Sequence, residues 1–312
     1  MSSVALISAN PSNVKHPIDA YIRTGHIISK ALGWPYIFPG DDIDYGLRHK
    51  YDALVFVYSS FYADIKAIEK LFANNSDASL FWIANEYNLG VNTVLGNCPR
   101  GYSTISNYER QIMKKNVRNF YCVNLNVLIA KPANPIVPKK QDVVYYGTYR
   151  EFREGYFKAY LKGKGICLST SEKNFKKFAH IGCAPTWIKK LDWTPYRETL
   201  NSFYCSLYIE DPYTHKVYNH LANRFYEAGF CNVVTLFDHN CRGTWERAGL
   251  DVAPIYVVSG YDDMLERVAE IKKNFAHHLA VQKGWHENSL VERVDVLARI
   301  KEIVENELRN RT

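Results

Sequence analysis

The chain has 312 residues, 47% of them apolar and 23% charged, with a net charge of +7. That length accommodates one large or two ordinary domains at about 100–200 residues each, and the composition excludes a disordered or low-complexity chain. No run reaches the ~18 consecutive apolar residues of a membrane helix, and the opening MSSVALISAN has no basic n-region or signal-peptide pattern, so a soluble, cytoplasmic protein is expected. In chain order, Val4–Ser8 is a short apolar run followed by the loop signal Asn10-Pro11-Ser12-Asn13. A helical period starts near Pro17, carries Ile18, Ile22, Ile27, Ile28 and Leu32 on one side, and stops at Gly33. Tyr36–Phe38 reads as a strand, and ALVFVY over Ala53–Tyr58 suits a buried parallel one. Ile65–Phe72 looks helical, SLFWIA over Ser79–Ala84 is another buried strand, and Asn119–Val123 and Val127–Ile129 are shorter candidates.

KPANPIVPKK over Lys131–Lys140 places three prolines and three lysines in one stretch and reads as a linker. The alternation then restarts with a strand at Val143–Tyr146 and a helix at about Glu151–Leu161. Strands follow at Gly165–Leu168 and Phe203–Ile209, a helix near Asn219–Ala228, and strands at Asn232–Phe237 and Pro254–Val258. Helices at Asp262–Asn274 and Trp285–Arg309 close the chain. Strands alternating with helices predict parallel, doubly wound α/β sheets, with ligands at the carboxyl ends of the strands in a cleft between two lobes. The expected division is 1–135, 136–284 and a C-terminal helix over 285–312.

Seven cysteines, none in a CxxC pair, read as reduced thiols. No DxD or other metal-ligand spacing is evident, so no metal site is expected, although a divalent ion can still assist product release. The positive charge concentrates in one segment: Arg100, Arg110, Lys114, Lys115 and Arg118 stand against Glu109, with Tyr102 and Tyr108 among them. Cations with interleaved aromatics can line a polyanion, and they can equally form a solvated helix face.

Three stretches carry candidate chemistry. In Tyr146-Gly147-Thr148-Tyr149-Arg150-Glu151-Phe152-Arg153 a strand ends in glycine, a small hydroxyl follows, and two arginines stand where a helix begins. Free backbone N–H groups and forked guanidinium donors together suit a pyrophosphate. The plainer reading pairs the arginines with Glu151 and Glu154. In Arg224-Phe225-Tyr226-Glu227, arginine and carboxylate share a helix face, fit either for phosphate and ribose or for a local ion pair, and Gly229 ends the helix. The loop Ile209-Glu210-Asp211-Pro212-Tyr213 follows a hydrophobic strand; Asp211 and Tyr213 can position a sugar, and Asp-Pro is also ordinary turn chemistry.

The order of these stretches resembles the DNA β-glucosyltransferases of T-even phages, most clearly over about 143–270. That family has a YxGSFRxxxR-like segment where this chain has Tyr146-Gly147-Thr148-Tyr149-Arg150 and Arg153, its two arginines one residue closer, and RxWE where this chain has Arg224-Phe225-Tyr226-Glu227. The resemblance implies a GT-B fold and a UDP-sugar donor, with UDP-glucose expected. It implies that Arg150, Arg153 and Arg224 hold the diphosphate and Glu227 the ribose, with Thr148 among the donor-binding residues. Leu191 would present its backbone to the uracil, with Trp193 stacked nearby, and Ser169 and Thr170 would lie at a further donor-contact loop.

In the N-terminal half the resemblance is thinner. Glu86-Tyr87-Asn88-Leu89 follows a buried strand where the family has a catalytic aspartate and an Arg-Leu pair. Glu86 is therefore the expected general base, and Asp19 the runner-up base or a sugar ligand. Asn10 and Asn13 would contact donor or acceptor. The stretch after Glu86 corresponds to the family's DNA-facing loops, so Tyr87, Asn88, Arg100, Tyr102, Arg110, Lys114, Lys115 and Arg118 are expected on the acceptor side. The implied activity is inverting sugar transfer to a 5-hydroxymethyl-pyrimidine in double-stranded DNA by a monomer, in the host cytoplasm for a phage-encoded enzyme. The alternatives are a GT-B transferase with a carbohydrate, lipid-linked or small-molecule acceptor, and a catalytically silent nucleotide- or DNA-binding module.

Overall fold

The computed structural model describes residues 3–8, 20–38, 47–57, 65–84, 98–107, 116–191, 198–210 and 220–310. They form two compact units, Met1–Ile129 with Glu292–Thr312, and Ala130–Val291.

The first unit contains β1 (Val4–Ile7), α1 (Ala20–Leu32), β2 (Tyr36–Ile37), β3 (Ala53–Phe56), α2 (Ile65–Asn74), β4 (Ser79–Ala84), β5 (Tyr102–Ser106) and β6 (Val117–Cys122). Its strands pair in parallel in the order β2-β1-β3-β4-β5-β6. The inner strands are buried along their whole length, as a parallel sheet covered on both faces requires. α1 ends at Gly33, whose φ of +69° is the left-handed turn that favours glycine.

Two expectations change here. The basic, tyrosine-bearing stretch contains β5, every residue of which is buried, and Tyr102 packs edge-on against Trp82 with ring centroids 6.3 Å apart. Its sequence YSTIS hid the strand, because hydroxyl side chains occupy positions that apolar residues usually fill. Val127–Ile129 is not a strand either; it lies in a 3-10 turn over Leu125–Ile129.

The second unit contains β7 (Gln141–Tyr146), α3 (Glu154–Tyr160), β8 (Cys167–Ser169), α4 (Glu172–His180), β9 (Thr186–Ile188), α5 (Glu198–Asn201) and β10 (Phe203–Tyr208). It continues with α6 (Asn223–Phe230), β11 (Val234–Asp238), α7 (Arg242–Arg247), β12 (Val257–Val258), α8 (Tyr261–Lys273) and α9 (Phe275–Arg309), whose last part belongs to the first unit. The parallel order is β12-β11-β10-β7-β8-β9. From β7 the chain first adds strands on one side, then crosses to β10 and adds them on the other. The carboxyl ends of β7 and β10 therefore flank the topological switch point, where open α/β sheets bind ligands. A core of Val143, Tyr145, Leu168, Cys205, Leu207, Val234 and Leu236 packs one face of this sheet against Phe157, Tyr160 and Phe178.

The proline-rich segment is stitched to the second unit. The Asn134 amide donates to the Phe230 carbonyl at 2.7 Å, and side-chain amides of Asn232 and Asn201 donate to the carbonyls of Asn134 and Pro135. Lys139 donates to the carbonyls of Asn201 and Asn232, both at 2.7 Å, and burial pushes its pKa down to about 8. Pro254–Tyr256, expected as strand, is a 3-10 turn leading into β12. Gly229 does not end α6 but sits inside its last turn. A Cβ there would lie 2.8 Å from His286 Nδ1, so glycine serves the close approach of α9.

Candidate functional site

The carboxyl ends of β7 and β10 carry the charged cluster of the second sheet. After β7 come Gly147, exposed Thr148 and exposed Arg150, which is extended with φ −137° and ψ 124°. The expected helix over Glu151–Leu161 opens instead as a 3-10 turn over Glu151–Arg153, and α3 starts only at Glu154. Its first turn already holds a carboxylate: Glu154 accepts from the Tyr149 hydroxyl and pairs with Lys158 at 3.6 Å. The positive end of this short helix is thus complemented by the chain itself, and the cationic side chains at this end of the sheet are arginines.

The tight turn aims Arg153 across the switch point to the residue just past β10. Arg153 Nη2 lies 2.5 Å from Glu210 Oε2, and Arg224 Nη2, from the first turn of α6, lies 3.4 Å from Glu210 Oε1. The Arg153 and Arg224 side chains are 15% exposed and that of Glu210 4%. Arg224 also donates through Nη1 to the Ile209 carbonyl at 3.3 Å, and its guanidinium lies 5.2 Å from the Tyr145 ring centroid and 5.9 Å from that of Tyr208. The Tyr146 hydroxyl donates to the Arg224 carbonyl at 3.0 Å, which fixes the start of α6 against the end of β7. Burial disfavours the Arg224 cation, but Glu210 and the neighbouring tyrosine oxygens outweigh it and hold the guanidinium's pKa above its ordinary value. Neither local ion pair considered from the sequence forms: Arg224 pairs with Glu210 rather than Glu227, and Arg153 reaches Glu210 rather than Glu151 or Glu154.

Glu210 is the residue that sequence reasoning passed over. It stood in a loop with Asp211-Pro212, which reads as turn chemistry, and the signal that could have found it was its position at the carboxyl end of a mostly apolar strand. Glu227 is buried on α6 one turn after Arg224.

Ser169, Thr170 and Leu191, expected on the donor side, can be placed. Ser169, the last residue of β8, is buried; its hydroxyl donates to the Lys189 carbonyl at 3.1 Å and accepts from the Leu191 amide at 2.9 Å. Ser169 thus ties the end of β8 to the loop after β9 and holds the Leu191 amide. Thr170 is buried as well.

Of the acceptor-side residues, Arg100, Tyr102 and Arg118 can be placed, and Arg118 is exposed. Tyr102 is buried in β5 and offers no ring to a polyanion. Arg100 Nη1 donates to the Asn75 carbonyl at 2.8 Å, just past the end of α2, with its guanidinium 5.9 Å from the Phe72 ring centroid. Arg118 pairs with Glu307 of α9 at 3.6 Å. Each is tied by the fold because it closes a helix end or meets a buried carboxylate. Asn10, Asn13, Asp19, Glu86, Tyr87, Asn88, Arg110, Lys114, Lys115, Trp193, Asp211 and Tyr213 lie outside the described residues. Among the described residues no group of three or more His, Cys, Asp or Glu could hold a metal ion, and no helix is long and apolar enough to cross a membrane.

No protein-family model matches the chain, and no curated protein matches it in sequence. Solved structures do match. T4 phage β-glucosyltransferase in complex with UDP-glucose superposes with a TM-score of 0.75 at 18% identity, over 97% of this chain and 99% of that one. The chain has the GT-B fold of the phage glucosyltransferases. The same T4 enzyme with UDP and Mn2+ gives a TM-score of 0.74 at 18% identity over the same shares of the two chains. An α-glucosyltransferase in complex with UDP and a 13-mer DNA containing an HMU base gives 0.65 at 12% identity, over 96% of this chain and 100% of that one.

Proposed function

We propose that this protein is a glycosyltransferase that moves a sugar from a uridine diphosphate sugar, UDP-glucose being the expected donor, to the hydroxyl of a 5-hydroxymethyl-pyrimidine in double-stranded DNA. The carrying observation is the convergence of Arg153 and Arg224 on the switch point of the second sheet, in a fold whose solved examples hold UDP or UDP-glucose. On this reading Arg150, Arg153 and Arg224 bind the diphosphate from residues 136–284, and their charge stabilises it as it leaves. Thr148 adds a hydroxyl beside them. Glu227 keeps the ribose role that the resemblance gives it; because it is buried, a nucleotide reaching it must be enclosed rather than laid on the surface. Glu86 takes the proton of the acceptor hydroxyl as that oxygen attacks the anomeric carbon, the bond from that carbon to the diphosphate breaks, and the configuration inverts. Trp193, Asp211 and Tyr213 remain proposed donor contacts, with Asn10, Asn13, Tyr87, Asn88, Arg110, Lys114 and Lys115 proposed toward donor or acceptor. A divalent ion carried by the diphosphate is compatible with this arrangement.

A second reading, a GT-B transferase with a carbohydrate, lipid-linked or small-molecule acceptor, draws support from one observation: Arg100, Tyr102 and Arg118 are buried or tied up in the fold. UDP release from UDP-glucose, measured with hydroxymethylated duplex DNA, unmodified duplex and no DNA, separates the readings. Release confined to the hydroxymethylated duplex is expected. Release with none of the three, from a protein that binds UDP, favours another acceptor. Glu86→Gln should retain UDP binding and lose transfer by ~10²–10⁴-fold; if Asp19→Asn is the variant that loses it, the base lies before α1.

A further inference from the structure

Glu210 has both carboxylate oxygens engaged, one on each of two arginines drawn from different elements. A carboxylate bridging two guanidinium groups makes the contacts that a phosphate would make there. It leaves the three side chains with one net positive charge, where the two arginines alone would carry two. With its side chain 4% exposed, Glu210 is poorly screened by solvent, so its charge acts on anything bound to the same guanidinium groups. Resting on the donor-site reading above, we infer that Glu210 is a built-in competitor for the diphosphate: it shares Arg153 and Arg224 with the donor and holds the affinity for UDP down.

The consequence for turnover follows from the chemistry of the leaving group. Donor and product share the diphosphate, and the product carries one more negative charge, so arginines that stabilise it as it leaves also hold UDP and slow its release. An internal carboxylate ready to take back the arginines as UDP departs shortens that step. It also answers a cost of the fold, because Arg224 is enclosed by Tyr145, Tyr208 and the Ile209 carbonyl and needs a counter-ion in every state.

Glu210→Gln keeps the shape of the side chain and removes its charge. Calorimetric titration of wild type and variant with UDP and with inorganic pyrophosphate, at fixed ionic strength, reads the effect directly. The variant should bind both ligands more tightly, on the order of tenfold for UDP, and show stronger product inhibition by UDP. Binding equal to or weaker than wild type in folded variant overturns the inference and makes Glu210 a support for the arginines instead. A wild type that binds neither UDP nor pyrophosphate overturns the donor-site reading, and the inference with it. Should the variant not fold alone, refolding it with millimolar pyrophosphate, and in parallel with chloride of equal ionic strength, still decides. Recovery with pyrophosphate only is expected, since the anion then supplies the missing charge; failure in both, or recovery in both, overturns the inference.

Discussion

Two arginines given the same role by the resemblance differ sharply as residues. Arg150 is exposed on extended backbone and makes no ion pair among the described residues, whereas Arg224 is enclosed by two tyrosine rings, a carbonyl and Glu210. Arg150→Ala should therefore melt like wild type and lose UDP affinity by ~1.5–3 kcal/mol, about 10- to 150-fold. Arg224→Ala should lose UDP affinity and also about 1–3 kcal/mol of stability, because Glu210 loses a buried arginine partner. Calorimetry with UDP beside a thermal melt of each variant checks both; an Arg224→Ala protein as stable as wild type would show that the cluster contributes nothing to folding. The arginines were legible because glycine, hydroxyl and arginine after an apolar strand form a local pattern. The Glu210 bridge was not, since it joins residues 57 positions apart that only the crossover from β7 to β10 brings together. Tyr102 was misread for the reverse reason: flanking cations in the sequence said nothing about a side chain facing the core.

At the scale of elements, most strands were visible as apolar runs, and the misses share a cause. β5 carries serine and threonine on buried faces, and β9 is three residues long; neither shows a hydrophobic period. α9 begins ten residues earlier than its apolar pattern suggests because its only buried positions before Trp285 are Leu279 and the polar Gln282. Gln282 brackets Thr235 of β11, accepting from its amide at 2.7 Å and donating to its carbonyl at 3.0 Å. His286 donates from Nε2 to the Lys131 carbonyl at 2.8 Å and sets Nδ1 against Gly229. Gly229→Ala places a methyl group 2.8 Å from that nitrogen, and with a backbone-tethered ring unable to yield, a loss of ~1–3 kcal/mol is expected in denaturant unfolding. Burial also holds the His286 imidazole below its ordinary pKa, against the weaker upward pull of the Lys131 carbonyl. A folded-state pKa below that of the unfolded chain means that the unfolded chain takes up its proton first. The contribution to stability is then whole above the unfolded value of about 6.5 and declines as pH falls through the folded one. His286→Gln should accordingly lose less stability than wild type between neutral and acid pH, read as the difference between the two melting profiles; parallel profiles would mean that the ring is already free to protonate in the native state.

The whole molecule turns on α9, which runs 35 residues without a break and contributes to both compact units. Leu279, Gln282, His286, Ser289, Arg293, Val296, Ile300, Ile303 and Glu307 recur at alternating intervals of three and four, one stripe along a single face. Within Ala130–Val291 its buried members are Leu279 and three polar residues; beyond that point they are Val296, Ile300, Ile303 with Val304 beside it, and Glu307. Glu307 accepts from the Asn119 amide and the Tyr121 hydroxyl, both at 3.0 Å, and pairs with Arg118, so all three partners lie on β6, the outermost strand of the first sheet. Burial first, and the Glu307 carboxylate next, push the Tyr121 pKa up to about 12. The end of α9 is thus anchored to β6 through the side chains of Arg118, Asn119 and Tyr121. Four buried aliphatic side chains at ~1.5–3 kcal/mol each amount to about 6–12 kcal/mol, the same size as the net stability of a whole domain. Ending the chain after Val291 should thus unfold the first unit rather than trim it, while the second keeps its own sheet and core. Calorimetry of the truncated protein should show one residual transition, limited proteolysis should leave a fragment beginning near Ala130, and UDP should still raise that transition if the donor groups lie where the arginines place them. Glu307→Gln is the milder version: it keeps the aliphatic stripe and an oxygen for Asn119 and Tyr121, loses the charge facing Arg118, and should cost only about 1 kcal/mol. A truncated chain with the wild-type melting profile would mean that the first sheet holds without the helix and that the long α9 serves something other than its stability.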